Sequence, residues 1–178
     1  MKVKRVAIVL AGAVLCGSVT TARADCIDDA AHFQHVNARL VRAIATVESG
    51  QRANVIHVNA DGTADIGLMQ INSRWLATLS RFGVSRADLR DRCTNAYVGA
   101  WILSQNIRHL GLNWDAVGAY NAGTHVKRIA YARRVYRALN TAPPLPSAPA
   151  TPIAVQEPGL IAKLFRPITW SDTWEARR

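Results

Sequence analysis

Glu48 is the only glutamate before Glu157, and its setting suits a proton donor. It closes an apolar run from Ala38 with Gly50 placed as a stop. Val41, Ala45 and Glu48 recur at i, i+4 and i+7, so the carboxyl shares a helix face with apolar side chains. Desolvation and the partial negative charge of a helix C-terminus both disfavour the ionised form. A carboxyl kept protonated near neutral pH is what general acid catalysis needs. The plain alternative is a solvated glutamate on a frayed last turn.

Three further segments bear on that choice. Gly67-Leu68-Met69-Gln70-Ile71-Asn72 reads as a loop-to-helix junction, with a permissive backbone at Gly67 and an amide at Gln70. Ala119-Tyr120-Asn121-Ala122-Gly123 sets an aromatic and an amide in a tight turn among small residues. Tyr131-Ala132-Arg133-Arg134-Val135 puts a phenol on a last helix. Amides, a phenol and one protonatable carboxyl suit a carbohydrate, which needs directional neutral hydrogen bonds and an apolar face to lie against. Taken singly, each segment has a bland reading: Gln70 as a solvated loop residue, Tyr131 as an ordinary half-buried core residue.

The elements that must position these groups are mostly helical. Asn37 can cap the Glu48 helix; Asn72 or Ser73 opens another through Trp75, Leu76, Leu79 and Phe82; Ser85 to Asp88 makes a short capping-type start. Thr94 is placed to cap a longer helix through Tyr97, Trp101 and Leu110, stopped by Gly111. Asn113 opens a short helix through Val117, and Thr124 a final one through Leu139. From Val55 to Ile66, Asp61-Gly62 between alternating residues signals a small β-hairpin. The fold class expected is therefore mainly α with one hairpin.

Residues 1–24 are set aside. Lys2, Lys4 and Arg5 form a basic start, Val6 to Leu15 a short apolar stretch, and Ala22-Arg23-Ala24 a cleavage signal. Together they read as a secretory signal peptide, too short for a membrane span. Cleavage before Asp25 leaves one domain's worth of chain. Cys16 leaves with the signal, so Cys26 and Cys93 remain, an even pair in an oxidising compartment. As a disulfide they close a loop of about 66 residues, worth roughly 4 kcal/mol if unstrained; the alternative is two buried free thiols. The formal charge of +10 falls once the signal's four basic residues are gone. What remains is mostly scattered arginine, apart from Lys127, Arg128, Arg133, Arg134 and Arg137 on one helix. A nucleic-acid module pairs a basic stripe with a recognisable motif, and none is present. All seven prolines lie between Pro143 and Pro167. They divide a domain at 25–140 from a Pro-rich linker and tail at 141–178.

In order and spacing the four motifs resemble the transglycosylase SLT family of lytic transglycosylases. Its Glu-Ser is Glu48-Ser49, its Gly-Leu-Met-Gln is Gly67 to Gln70, its Ala-Tyr-Asn-Ala-Gly is Ala119 to Gly123, and its Tyr-Ala-x-x-Val is Tyr131 to Val135. Asp65 to Ser73 and Trp114 to Asn121 are similar to one subgroup, the small exported invasion-associated enzymes that accompany type III secretion systems. The Cys26/Cys93 pair fits that subgroup too. The resemblance implies a goose-lysozyme-like fold and peptidoglycan glycan strands as substrate, and the signal peptide points to a periplasmic location. It implies Glu48 as the catalytic residue and no metal or cofactor. Ser49, Met69, Gln70, Tyr120, Asn121 and Tyr131 become the expected substrate-binding set, with Tyr131 orienting Glu48 and Met69 and Tyr120 shaping an apolar wall. A serine that many members carry shortly before Gly-Leu-Met-Gln has no clear counterpart between Asn59 and Asp65.

Other classes remain in view. A hydrolytic muramidase would need Asp61 or Asp65 to position a water. A glycan-binding assembly protein would leave Glu48 incidental. A zinc enzyme on His32 and His35 lacks a visible third ligand nearby, and a serine hydrolase lacks a G-x-S-x-G signal. The tail, with Leu160, Ile161, Leu164, Phe165, Trp170 and Trp174, reads either as disordered or as a docking segment for a secretion-system partner or membrane surface. Deleting Thr141 to Arg178 should leave activity on isolated sacculi intact. A large loss in that assay would show that the tail helps to build the site.

Overall fold

The computed structural model describes residues 25–141. The signal peptide expected at 1–24 and the Pro-rich stretch from Ala142 lie outside the described residues. Six helices and a three-stranded sheet make up the described part: α1 (Cys26–Phe33), α2 (Ala38–Ser49), β1 (Ile56–Val58), β2 (Ala64–Ile66), β3 (Ile71–Asn72), α3 (Leu76–Leu79), α4 (Arg92–Leu110), α5 (Trp114–Gly118) and α6 (His125–Thr141).

The longest helix, α4, is the post around which the others gather. From Thr94 to Ser104 nearly every residue is buried, as befits a helix covered on all sides. Helices α1 and α5 pack on it, and α6 packs on both α5 and α2. Val41, Ile44, Leu68, Met69, Val98, Leu103, Tyr131 and Val135 meet in one core. Cys26, the first residue of α1, is bonded to Cys93 near the start of α4. Asp25 and Asp28 also grip Arg42 of α2, at 2.7 and 2.6 Å.

Caps fix where the helices start. Asn37 accepts from the Leu40 amide at the head of α2, and Asn113 from the Ala116 amide at the head of α5. Gly50 ends α2 in a left-handed conformation (φ 62°). At α4 the cap differs from expectation. Asp91, not Thr94, is the N-cap, and its Oδ1 accepts from both the Thr94 amide and hydroxyl at 2.8 and 2.9 Å. A carboxylate three residues upstream out-competes a hydroxyl that already sits inside the first turn. The helix expected from Asn72 through Phe82 is also broken. Asn72 caps a 3₁₀ turn (Ser73–Trp75), α3 follows for four residues, and a second 3₁₀ turn (Ser80–Phe82) runs into left-handed Gly83. Helix α1, which the sequence analysis does not place, is short and held by Asp25 and its neighbours rather than by a long apolar period.

The hairpin is present and carries an additional strand. β1 pairs antiparallel with β2 in the register Ile56 with Ile66, His57 with Asp65 and Val58 with Ala64. Its loop, Asn59 to Thr63, is longer than a two-residue turn at Asp61-Gly62, and only Gly62 within it is left-handed. β3 then pairs with β2, setting Asn72 opposite Asp65. Gly67 to Gln70 is thus a strand-to-strand turn, closed by the Gln70 amide donating to the Gly67 carbonyl at 3.2 Å. The pleat of β2 turns Ala64 and Ile66 into the core and Asp65 to the opposite face.

Gly67 has φ 81° and lies against the Asn95 side chain and the Leu89 carbonyl, which an added Cβ would approach to 2.5 Å. Gly67→Ala should destabilise the fold by about 2–4 kcal/mol, from left-handed strain and overpacking together. Urea unfolding of the variant measures it.

Candidate active site

Glu48 lies in the last turn of α2, its carboxyl turned into a cleft of about 400 Å³. Residues from across the fold line that cleft. The hairpin and its continuation give Asn59, Asp65, Gln70, Ile71 and Asn72; the 3₁₀ turn after β3 gives Trp75; α4 gives Ile102; the turn after α5 gives Tyr120 and Asn121. Polar groups dominate, with Trp75 as an aromatic wall braced edge-on by Trp101 at 5.5 Å.

Opposed forces set the state of the Glu48 carboxyl. Burial raises its pKa from 4.5 to about 6, the Tyr131 hydrogen bond and the Arg134 charge pull it down, and the Asp65 charge pushes it up. Tyr131 comes from α6 and is fully buried, and its hydroxyl donates to Glu48 Oε1. The same burial and the nearby Glu48 carboxylate raise the phenol's own pKa, so it stays a donor. At pH 7 a pKa of about 6 leaves roughly a tenth of the carboxyls protonated, against about 0.3% at the ordinary value. Helix geometry and packing together make Glu48 a workable acid.

The expected site residues divide into two groups. Glu48, Gln70, Tyr120 and Asn121 line the cleft. Tyr131, Ser49 and Met69 do not: Tyr131 is buried and reaches the cleft only through its bond to Glu48, and the other two serve the fold. Ser49 is buried, its hydroxyl donating to the Leu68 carbonyl at 2.6 Å and accepting from the Arg52 amide at 3.0 Å. Met69 is wholly buried, its sulfur against Gly99 of α4, where a Cβ would collide with it. Both residues anchor the turn that presents Gln70. Gln70 itself has φ 49° and donates Nε2 to the Val55 and Gly67 carbonyls at 3.1 and 2.8 Å. With its amide hydrogens so occupied, it offers a ligand its carbonyl oxygen. Tyr120 donates to the Met69 carbonyl at 3.0 Å and stacks near-parallel to Tyr131 with ring centres 6.4 Å apart.

The structure also separates the two aspartates. Asp65 is in the cleft, its oxygens accepting from Asn72 and Asn59 at 2.7 and 3.0 Å. Asp61 is exposed at the hairpin tip, bound to Thr63 and paired with Arg74 at 2.7 Å. Asn59, Asn72 and Trp75 are cleft residues that sequence reasoning did not assign. Strand alternation at Ala64-Asp65-Ile66 is the signal that points to this polar face. His32 lies in α1 whereas His35 sits beyond its end with φ 53°, so the two do not share a helix face.

Comparison with known proteins agrees with the four motifs. The family model described as the transglycosylase SLT domain matches residues 25–138. Invasion protein IagB of Salmonella typhi is 45% identical over 112 residues, covering 62% of this chain and 70% of the relative. The X polypeptide of Escherichia coli is 40% identical over 121 residues, covering 64% and 72%. Protein IpgF of Shigella flexneri is 37% identical over 129 residues, covering 70% and 85%.

The raised carboxyl pKa has a cost for the fold. Glu48 binds its proton more tightly folded than unfolded, so its ionisation destabilises the native state. That penalty is absent below pH 4.5, grows up to about pH 6 and is complete above it, at ~2 kcal/mol. Glu48→Gln keeps an oxygen for Tyr131 and removes the charge. It should be the more stable protein at pH 7, with the difference vanishing near pH 4, in urea unfolding at the two pH values.

Proposed function

The chain belongs to the transglycosylase SLT family, and from that premise we propose that it is an exported lytic transglycosylase of peptidoglycan. The observation that carries the reading is a half-buried carboxyl, Glu48, lining a polar cleft, with its pKa raised to about 6 and a tyrosine hydroxyl bonded to it.

In this reading Glu48 protonates the oxygen of the β-1,4 bond between N-acetylmuramic acid and N-acetylglucosamine. That C–O bond breaks and leaves an oxocarbenium-like muramyl centre, which the sugar's own N-acetyl oxygen stabilises as an oxazolinium. Glu48, now ionised, takes the proton of the muramyl C6 hydroxyl as that oxygen bonds to C1. Acid and base are one residue, the proton count balances, and no water is consumed. Asn121, Gln70 and Trp75 line the cleft; in this reading Asn121 and the Gln70 carbonyl bond to hydroxyl and N-acetyl groups, and Trp75 packs against a sugar ring. The signal-peptide pattern at 1–24 supports a periplasmic site of action. One relative is an invasion protein, which supports extending the proposal to a role in opening the wall locally for an envelope-spanning secretion machine.

One observation favours a second reading. Asp65 shares the cleft with Glu48, so a water held by its carboxylate would give hydrolysis and reducing ends instead.

Digestion of purified sacculi, with the muropeptides read by mass spectrometry, decides between them. The expected products are one water lighter than reducing sugars, and Glu48→Gln should lose at least ~100-fold of the activity. Asp65→Asn should leave the anhydro character of the products unchanged. Reducing ends that disappear in Asp65→Asn would replace the proposal by hydrolysis. Absence of products from the unaltered protein would move the weight to a glycan-binding assembly role.

A further inference from the structure

Arg134 has no part in the chemistry above, yet it stands beside it. It follows Tyr131 by three positions on α6, so the two share a face of that helix. Its guanidinium carbon lies 5.3 Å from the centre of the Tyr131 ring, within cation–π range. Among the described residues no carboxylate pairs with it: the ion pairs engage Arg42, Arg74, Arg92, His125 and Arg128. Helix α6 carries no Asp or Glu, so the guanidinium has no partner on its own helix and lies against an aromatic face instead.

That ring belongs to the phenol whose hydroxyl is bonded to Glu48. We propose that Arg134 is a positioning residue for the proton donor, acting through Tyr131. Its guanidinium, laid on the ring, holds the hydroxyl against the Glu48 carboxyl and supplies positive charge as that carboxyl ionises. The inference rests on the reading of Glu48 as general acid.

The physics distinguishes this arrangement from a direct ion pair. A cation in contact with Glu48 would keep it ionised and remove the acid. Placed beyond an aromatic ring, the charge acts more weakly and grows in effect as negative charge develops, which is when stabilisation accelerates the step. The cation also draws on the ring's electrons and makes the hydroxyl a stronger donor. The other groups facing Glu48 act differently. Asp65 on β2 opposes ionisation. Tyr120, after α5, gives its hydroxyl to the Met69 carbonyl and does not compete for the carboxylate. Ile102 of α4 is apolar. Arg134 is therefore the positive charge that offsets burial and Asp65.

The test is a carbon-13 titration of the Glu48 carboxyl by NMR in the purified protein, in parallel with the pH profile of kcat/KM on sacculi. Arg134→Met keeps the aliphatic contact and removes the charge. It should raise the Glu48 midpoint by roughly 0.5–1 pH unit and carry the alkaline limb of the profile upward by the same amount. Arg134→Lys should restore most of the shift, and added salt should shrink it, because Arg134 is exposed. An unchanged midpoint in Arg134→Met overturns the proposal. So does a uniform fall in activity at every pH, the mark of a merely structural contact. Because the titration needs no turnover, it reads Arg134 whatever products the sacculi assay gives.

Discussion

One buried amide, Asn95, fixes the geometry on which the cleft depends. It is wholly inside the protein, and each of its three side-chain hydrogen bonds goes to backbone. Its oxygen accepts from the Met69 amide at 2.7 Å, and its nitrogen donates to the Ile66 and Leu89 carbonyls at 2.8 and 2.7 Å. A tight turn sunk into a core has peptide groups that water cannot reach, and each one left unpaired costs about 1–3 kcal/mol. Asn95 answers part of that demand from α4. Ser49 answers the Leu68 carbonyl from α2, and Tyr120 the Met69 carbonyl from beyond α5. The Gly67–Gln70 turn is thus the common reference to which three separate helical segments are tied. Gly99 permits the approach by leaving room for the Met69 sulfur.

Around that reference the site runs on a balance rather than on one strong interaction. Burial alone would leave Glu48 a reluctant acid that holds its proton too tightly; a strong cationic partner would leave it no proton to give. The tyrosine hydroxyl lies between these limits, because it bonds to either form of the carboxyl and cannot neutralise it. Asp65 tilts the balance towards the acid while its own oxygens are occupied by Asn59 and Asn72. Stability is lost at Glu48 for the sake of reactivity, and the disulfide and the Arg42 ion pairs at the other end of α2 and α1 are among the interactions that tolerate the loss.

Much of this was legible in the chain. Asn37, Asn113, Gly50 and Gly111 bound their helices as their types require, and the order of the four motifs carried the fold. Side-chain roles were less legible than identities. Ser49 and Met69 belong to motifs that also hold cleft residues, yet both face inward. A motif reports what a segment needs in order to be built as well as what it does. The cleft's polar face was obscured for a related reason. Asn59, Asp65 and Asn72 are turn-forming types, and nothing local shows that two antiparallel pairings will bring them together on one side of a sheet. Asp91 took the cap from Thr94 because capping depends on where the first turn begins, and Thr94 already lies inside it with its amide and hydroxyl both donating to Asp91.

The brace between Trp75 and Trp101 also gives the protein an optical signature. Two indoles held edge-on in a rigid, asymmetric setting are a source of near-ultraviolet circular dichroism. Trp75 forms the cleft wall, so whatever occupies the cleft changes the polarity around half of this chromophore pair. Occupancy is therefore written into the intrinsic spectrum of the chain, and binding can be followed without a label, apart from turnover.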